Sequence, residues 1–141
     1  MKIAIDPGCK APTRAHEHDA GLDLYAAETA YIAPHAWVTV STGVHAEIPK
    51  GFVGLLTSKS GLMSKHGITC GAFGAGGTID AGYTGTIKAV LFNHSDRVFK
   101  VEAGQKVTQL VILPIITPEL ELVEELEKTE RGAGGFGSTG V

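Results

Sequence analysis

Apolar and polar residues alternate with a period of two along much of this chain. Lys2-Ile3-Ala4-Ile5, Leu22-Asp23-Leu24-Tyr25, Trp37-Val38-Thr39-Val40, Val53-Gly54-Leu55-Leu56 and Thr86-Ile87-Lys88-Ala89-Val90-Leu91 all read this way. In an extended backbone that alternation sends successive side chains to opposite faces, so each stretch predicts a short strand with one face on a core. Val107 to Ile112 and Glu119 to Val123 predict two more. Turn-forming residues divide them at short intervals, in Asp6-Pro7-Gly8, Ala33-Pro34-His35, Pro49-Lys50-Gly51 and Asn93-His94-Ser95-Asp96. This rhythm predicts an all-β fold, a jelly-roll-like β-barrel or sandwich. Helix is expected only as a turn or two near Ser60 to His66. With no repeat or linker before the tail, residues 1–130 read as one β domain and 131–141 as an appended Gly-rich arm.

Composition narrows the classes. The 141 residues are 43% hydrophobic and 19% charged, as in a globular domain. A formal charge of -3 disfavours a nucleic-acid binder working through a basic face, but leaves room for a nucleotide held by a few local donors. Met1-Lys2 runs directly into an alternating stretch, so no secretory leader is expected. The longest apolar run, Leu110 to Ile116, is too short for a membrane span and contains Pro114. Cys9 and Cys70 are the only cysteines, which disfavours a disulfide framework or a zinc knuckle. A cytoplasmic protein without nucleic-acid or membrane partners is expected.

The arm, Arg131-Gly-Ala-Gly-Gly-Phe-Gly-Ser-Thr-Gly-Val141, cannot build a core. Its glycines can wind backbone N–H groups around an anion, Ser138 and Thr139 add hydroxyl donors, and Arg131 adds a planar cationic fork suited to phosphate. Phe136 offers a ring that could stack on a base. A plain terminal tail has the same composition, and no Gly-Lys-Ser/Thr of a P-loop is present.

Four other blocks carry polar residues that a sandwich does not need. They are Asp19-Ala20-Gly21-Leu22-Asp23-Leu24-Tyr25, Thr57-Ser58-Lys59-Ser60-Gly61-Leu62-Met63, Gly77-Thr78-Ile79-Asp80-Ala81-Gly82-Tyr83-Thr84-Gly85 and Gly104-Gln105-Lys106-Val107-Thr108-Gln109-Leu110. With the arm they make five blocks whose order resembles the five motifs of the trimeric dUTPases, from Asp19 to Gly140. The resemblance implies Mg²⁺-assisted hydrolysis of dUTP to dUMP and diphosphate, limiting uracil in DNA and supplying dUMP for thymidylate synthesis, in a homotrimer with shared active sites.

On that resemblance Asp80 is the base that orients and deprotonates the attacking water. Taken alone, Asp80 also suits a turn. Tyr83 would be the floor under the deoxyribose, leaving no room for a 2′-hydroxyl; alone it suits any strand. Asp23 would reach Mg²⁺ through water, although alternation by itself reads it as an outward strand residue. Lys59, Ser60 and Gly61 stand where the family has Arg-Ser-Gly against the phosphates. Lysine keeps the charge there but not the bidentate fork. Gln109 falls on the phosphate side and Lys88 on the uracil or sugar side, with Gly77, Thr78 and Ile79 lining the same block. Phe136 would cover the uracil, and Arg131 with Gly137, Ser138 and Thr139 would enclose the phosphates, the arm closing from a neighbouring subunit as a lid.

The segment Thr69 to Gly77 is a few residues longer than its family counterparts and lacks an asparagine often found there, which leaves uracil selectivity less secure than hydrolysis. His16-Glu17-His18-Asp19 offers too few ligands for a zinc site and reads as a solvated loop, and His35, His45, His66 and His94 read as turn or strand-end residues. Two alternatives are a dCTP deaminase of the same fold and a nucleotide-gated regulatory protein. The first is disfavoured because Val90 stands about where that enzyme needs a glutamate.

Overall fold

The alternating stretches pair antiparallel in every register that the fold uses. The computed structural model of the chain describes residues 1–71 and 77–135. In chain order the elements are β1 (Ile3–Ile5), β2 (Gly21–Tyr25), β3 (Ala30–Ile32), β4 (Trp37–Ser41), β5 (Val44–Ala46) and β6 (Phe52–Ser58). There follow α1 (Ser60–His66), β7 (Ile68–Cys70), β8 (Thr78–Ile79), β9 (Lys88–Asn93), β10 (Phe99–Val101) and β11 (Lys106–Pro114). One sheet runs β2-β11-β6-β8 and a second β4-β9-β7, while β1-β5 and β3-β10 form two-stranded ribbons. Leu22, Leu24, Leu56, Ile79 and Leu110 of the first sheet share one buried cluster with Val40, Ile68, Ala89 and Leu91 of the second. The core thus lies between the sheets of a jelly-roll-type β fold.

Local chemistry explains the boundaries. The helix spans the expected Ser60–His66 and ends at Gly67, whose left-handed backbone (φ 66°) lets its N–H reach the Leu62 and Met63 carbonyls. The predicted turn after β9 is built around Asn93. This side chain is fully buried, donates to the Ile32 and Arg97 carbonyls (3.1 and 2.7 Å) and accepts from the Ser95 N–H. The strand expected from Thr86 begins instead at Lys88. Ile87 turns its backbone to Thr42 and Val44, bonding both at the end of β4 and the start of β5.

The strand expected over Glu119 to Val123 is absent. β6 can pair β11 only as far as Phe52 opposite Pro114, and one more backbone bond joins Ile115 to Gly51. Beyond that point no described strand pairs with the chain, and Leu120 and Leu122 stand 92% and 99% exposed. Strand pattern without an edge does not make a strand. Five short strands, β3, β5, β7, β8 and β10, go beyond the pattern reading. Among the described residues no helix is long and apolar enough to cross a membrane.

β11 is the spine, paired with β2 on one side and β6 on the other. Leu110 lies fully buried at its centre, and Gly54 on β6 faces it so closely that an added Cβ would stand 2.9 Å from Leu110 Cδ1. Leu110→Ala should therefore lower the unfolding free energy by about 3 kcal/mol, the usual range for a core leucine that leaves a cavity. Urea titrations at one protomer concentration measure it.

Candidate active site

Two groups of polar side chains sit on this scaffold. The first centres on Asp23 in β2. Its backbone pairs with β11 on one side and with Thr13 on the other, and its side chain lies on the sheet face away from Leu22 and Leu24. Alternation predicts an outward residue, yet Asp23 is only 3% exposed. What covers it is charge: Lys59 Nζ donates to Oδ1 at 2.6 Å and Lys106 Nζ lies 2.7 Å from Oδ2. Lys59 follows β6 and occupies the N-cap position of α1, so the pair ties the helix start, with the exposed Ser60 and Gly61, to β2 and β11.

Burial works to raise the Asp23 pKa. The hydrogen bonds and charges of Lys106 and Lys59 outweigh it and hold the carboxyl below its ordinary 3.8. Gln109, opposite Asp23 on β11, lays its side chain across Gly21, where an added Cβ would stand 2.9 Å from Nε2. Glycine at position 21 is therefore what admits Gln109 to this face.

The second group is a cleft of about 350 Å³ lined by Leu56 and residues of the third block: Gly77, Thr78, Ile79, Asp80 and Tyr83, with Thr86 and Lys88 beyond. β8 pairs with β6 and Gly77 accepts from the Leu56 N–H at 3.0 Å, which fixes one wall. Asp80 then leaves the strand into a turn closed by the Tyr83 N–H on its carbonyl (3.1 Å) and stays exposed. The Tyr83 hydroxyl donates to the Thr86 carbonyl at 3.0 Å, and its ring lies over Gly85, where an added Cβ would come within 2.6 Å of Cζ. A carboxylate and an exposed aromatic face thus share one concavity, held by the turn and not by packing.

The chain does not bring every expected residue together. Among the described residues no hydrogen bond or ion pair joins the Asp23–Lys59–Lys106 group to Asp80 or Tyr83. Arg131 contacts its own loop, its Nε donating to the Gly134 carbonyl at 3.3 Å. Phe136, Gly137, Ser138 and Thr139, and residues 72–76 of the lengthened segment, lie outside the described residues. His16 and Asp19 bond to each other in an exposed loop, with His16 N–H on Asp19 Oδ2 at 2.9 Å. Lys106, Gly85 and Thr86 were not singled out from sequence, because their roles come from cross-strand register and ring placement, which spacing does not encode.

A carboxyl held low in the folded state contributes stability above its unfolded pKa and loses it as the pH falls through the folded value. The Asp23 pairing should thus be complete at neutral pH and fade below about pH 4. Asp23→Asn should cost about 2 kcal/mol at pH 7, less than for an enclosed pair because the Lys106 side chain is 43% exposed. At pH 3 the deficit should shrink, and denaturant titrations at the two pH values check it. An equal deficit at both would count against the ion pairing as its source.

Comparison with known proteins agrees with this geometry. A model of the dUTPase family matches residues 8–140. The deoxyuridine 5'-triphosphate nucleotidohydrolase of Picosynechococcus sp. is 42% identical over 99% of this chain and 96% of its own. That of Candida albicans is 46% identical over 99% of this chain and 87% of its own. Among solved structures, the Staphylococcus bacteriophage 80alpha dUTPase with dUpNHpp superimposes with a TM-score of 0.87 at 36% identity, covering 99% of this chain and 98% of that one. A mutant of the dUTPase from phage phi11 of S. aureus, described with a structural Mg(II) ion, gives 0.79 at 33% identity over 90% of this chain and 98% of its own. With residues 8–140 matched by the family model and relatives 42–46% identical over 99% of its length, the chain belongs to the dUTPase family.

Proposed function

We propose that the chain hydrolyses dUTP to dUMP and diphosphate, with Asp80 as the base and Tyr83 as the sugar floor. The observation that carries this reading is the cleft in which Asp80 stands exposed at one end of a turn and the Tyr83 ring is fixed at the other. A water held by the Asp80 carboxylate attacks the α-phosphorus. Its oxygen forms the new P–O bond, its proton passes to Asp80, and the bond to the bridging oxygen breaks so that diphosphate leaves with the electron pair. The Tyr83 ring packs against C2′, which admits deoxyribose and excludes a 2′-hydroxyl. Gly77, Thr78, Ile79 and Lys88 line the nucleoside side. Lys59, Ser60, Gly61 and Gln109 take the phosphate side, with Lys59 oriented by Asp23.

The residues present fit Mg²⁺ held mainly by the phosphates. Among the described residues no three His, Cys, Asp or Glu side chains converge as a metal cage. Asp23 has each oxygen engaged by one lysine, and a carboxylate offers about four acceptor sites, so it can still hold a metal-bound water. When bound, the ion would neutralise phosphate charge as the bridging bond breaks.

The same reading takes the working unit as a homotrimer with shared sites. The Asp23 group and the Asp80 cleft make no polar contact within one chain among the described residues, an arrangement that suits a site completed between subunits. The unpaired segment after β11, with Leu120 and Leu122 bare, suits a strand added to a neighbour. The outer edge of β1 is open for it, beside a groove of about 430 Å³ that Ile3, Ile5 and Ala46 help to line. Residues 131–141 then serve as the lid, Phe136 over the base and Arg131 with Gly137, Ser138 and Thr139 around the phosphates.

Diphosphate release with Mg²⁺, followed from dUTP beside dTTP, dCTP and UTP, tests the reading. Release should be confined to dUTP and should fall by about 10²- to 10⁴-fold in Asp80→Asn. Release from several deoxynucleotides would relocate selectivity to the lengthened 69–77 segment. Removing 131–141 should leave a folded trimer by light scattering with turnover greatly reduced; undiminished turnover would remove the lid from the mechanism.

A further inference from the structure

One side chain behind the cleft has no place in the scheme above. His45 sits in the middle of β5, opposite Ala4 of β1, with 29% of its side chain exposed. Its ring reaches away from the ribbon to the turn that carries Asp80 and Tyr83. Nδ1 lies 2.8 Å from the Thr84 carbonyl oxygen, and Nε2 lies 3.1 Å from Thr86 Oγ1 and 3.1 Å from Asp6 Oδ1. Thr84 and Thr86 flank Gly85, the residue over which the Tyr83 ring lies, and the Thr86 carbonyl receives the Tyr83 hydroxyl. One imidazole therefore grips both sides of the seat on which the ring rests.

The chemistry of the partners sets the proton positions. A carbonyl only accepts, so Nδ1 carries hydrogen whether the ring is charged or neutral. In the charged ring Nε2–H donates to Asp6; in the neutral ring Nε2 accepts from the Thr86 hydroxyl. The grip on Thr84 persists in both forms, and only the second partner changes. The bond to the Thr84 carbonyl, and then Asp6, raise the His45 pKa above its ordinary 6.5. Lys2, Asp6 and Glu47 are the charged groups that line the groove with His45, and Asp80 and Lys88 line the cleft on the far side of Thr86. A turn of exposed residues has little packing to hold it, so a bridge from a paired strand is what can fix its height.

We propose that His45 is a positioning residue for sugar discrimination: by clamping the Thr84 carbonyl to β5, and in its neutral form the Thr86 hydroxyl as well, it sets the level of the Tyr83 ring and so the preference for dUTP over UTP. The inference rests on the reading of Tyr83 as the deoxyribose floor. An asparagine at position 45 places an amide N–H where Nδ1–H stood, whereas a glutamine reaches only the place of Nε2. The ratio of kcat/KM for dUTP to that for UTP is the readout, because a loss of fold or assembly lowers both values together and leaves their ratio alone.

In full-length trimer, H45A should lower the ratio roughly tenfold, as expected for a small displacement of a steric wall. H45N should restore most of it and H45Q should not; that pair still decides the matter if H45A fails to fold. Y83A serves as the reference. A ratio that collapses in Y83A but holds in H45A and H45Q overturns the inference alone. A ratio unmoved in Y83A as well overturns the sugar-floor reading and the inference with it. A fall in H45A that H45N does not repair overturns the clamp on Thr84.

Discussion

The buried carboxylate of Asp23 is the constraint on which the site face of this fold depends. An anion 3% exposed in the middle of a strand is tolerable only with cations brought to it, because desolvation of an unpaired carboxylate would exceed what one strand contributes. Two lysines answer from two directions, Lys59 from the junction of β6 and α1 and Lys106 from the start of β11. The consequence is mechanical as well as electrostatic. The helix start, with Ser60 and Gly61, and the first residues of β11 are held close to β2 by charge. A lysine at position 59 supplies one bond where a guanidinium could supply two, and Lys106 takes the oxygen left over. The local balance is then one positive charge in excess beside Ser60, a suitable background for a polyphosphate.

The Asp80 side of the site is held differently. No buried ion pair anchors it; a short strand, β8, and a chain of backbone and hydroxyl bonds from Asp80 through Tyr83 to Thr86 do so. Glycine is required at position 85 because the phenol occupies the space a Cβ would need. A turn built this way can adjust when nucleotide arrives, and the His45 bridge limits the adjustment to what β5 allows. The Asp23 group is thus held by charge and the Asp80 turn by hydrogen bonds to a neighbouring strand.

Much of this was legible in the residues. Period-two alternation located most of the longer strands, and the turn or two expected near Ser60 to His66 matches the one helix among the described residues. The resemblance of the third block put Asp80 and Tyr83 together, and the structure brings both to one cleft through a short strand and a tight turn. What stayed hidden depends on register between distant segments. Nothing local says that Lys106 would meet Asp23, since a bulge between Lys106 and Thr108 shifts the pairing. Nor does a histidine in Val44-His45-Ala46 announce that its ring reaches residues 84 and 86. The failed strand at Glu119 to Val123 teaches the complementary lesson: alternation records the wish of a segment for a sheet, while the edge must come from elsewhere.

That last constraint bears on the proposed sharing of the site between subunits. β11 is saturated on both sides by β2 and β6, so its continuation cannot rejoin its own sheet. A chain emerging from a filled sheet with Leu120 and Leu122 bare must either remain solvated at hydrophobic cost or find an edge on another copy. The same subunit leaves the outer edge of β1 unpaired among the described residues, and β1 is the strand that β5, with His45, lies against. A strand added there would sit behind the turn that carries Asp80 and Tyr83. On the proposed reading, assembly and the turn that carries Asp80 and Tyr83 would be coupled through one ribbon, β1 with β5.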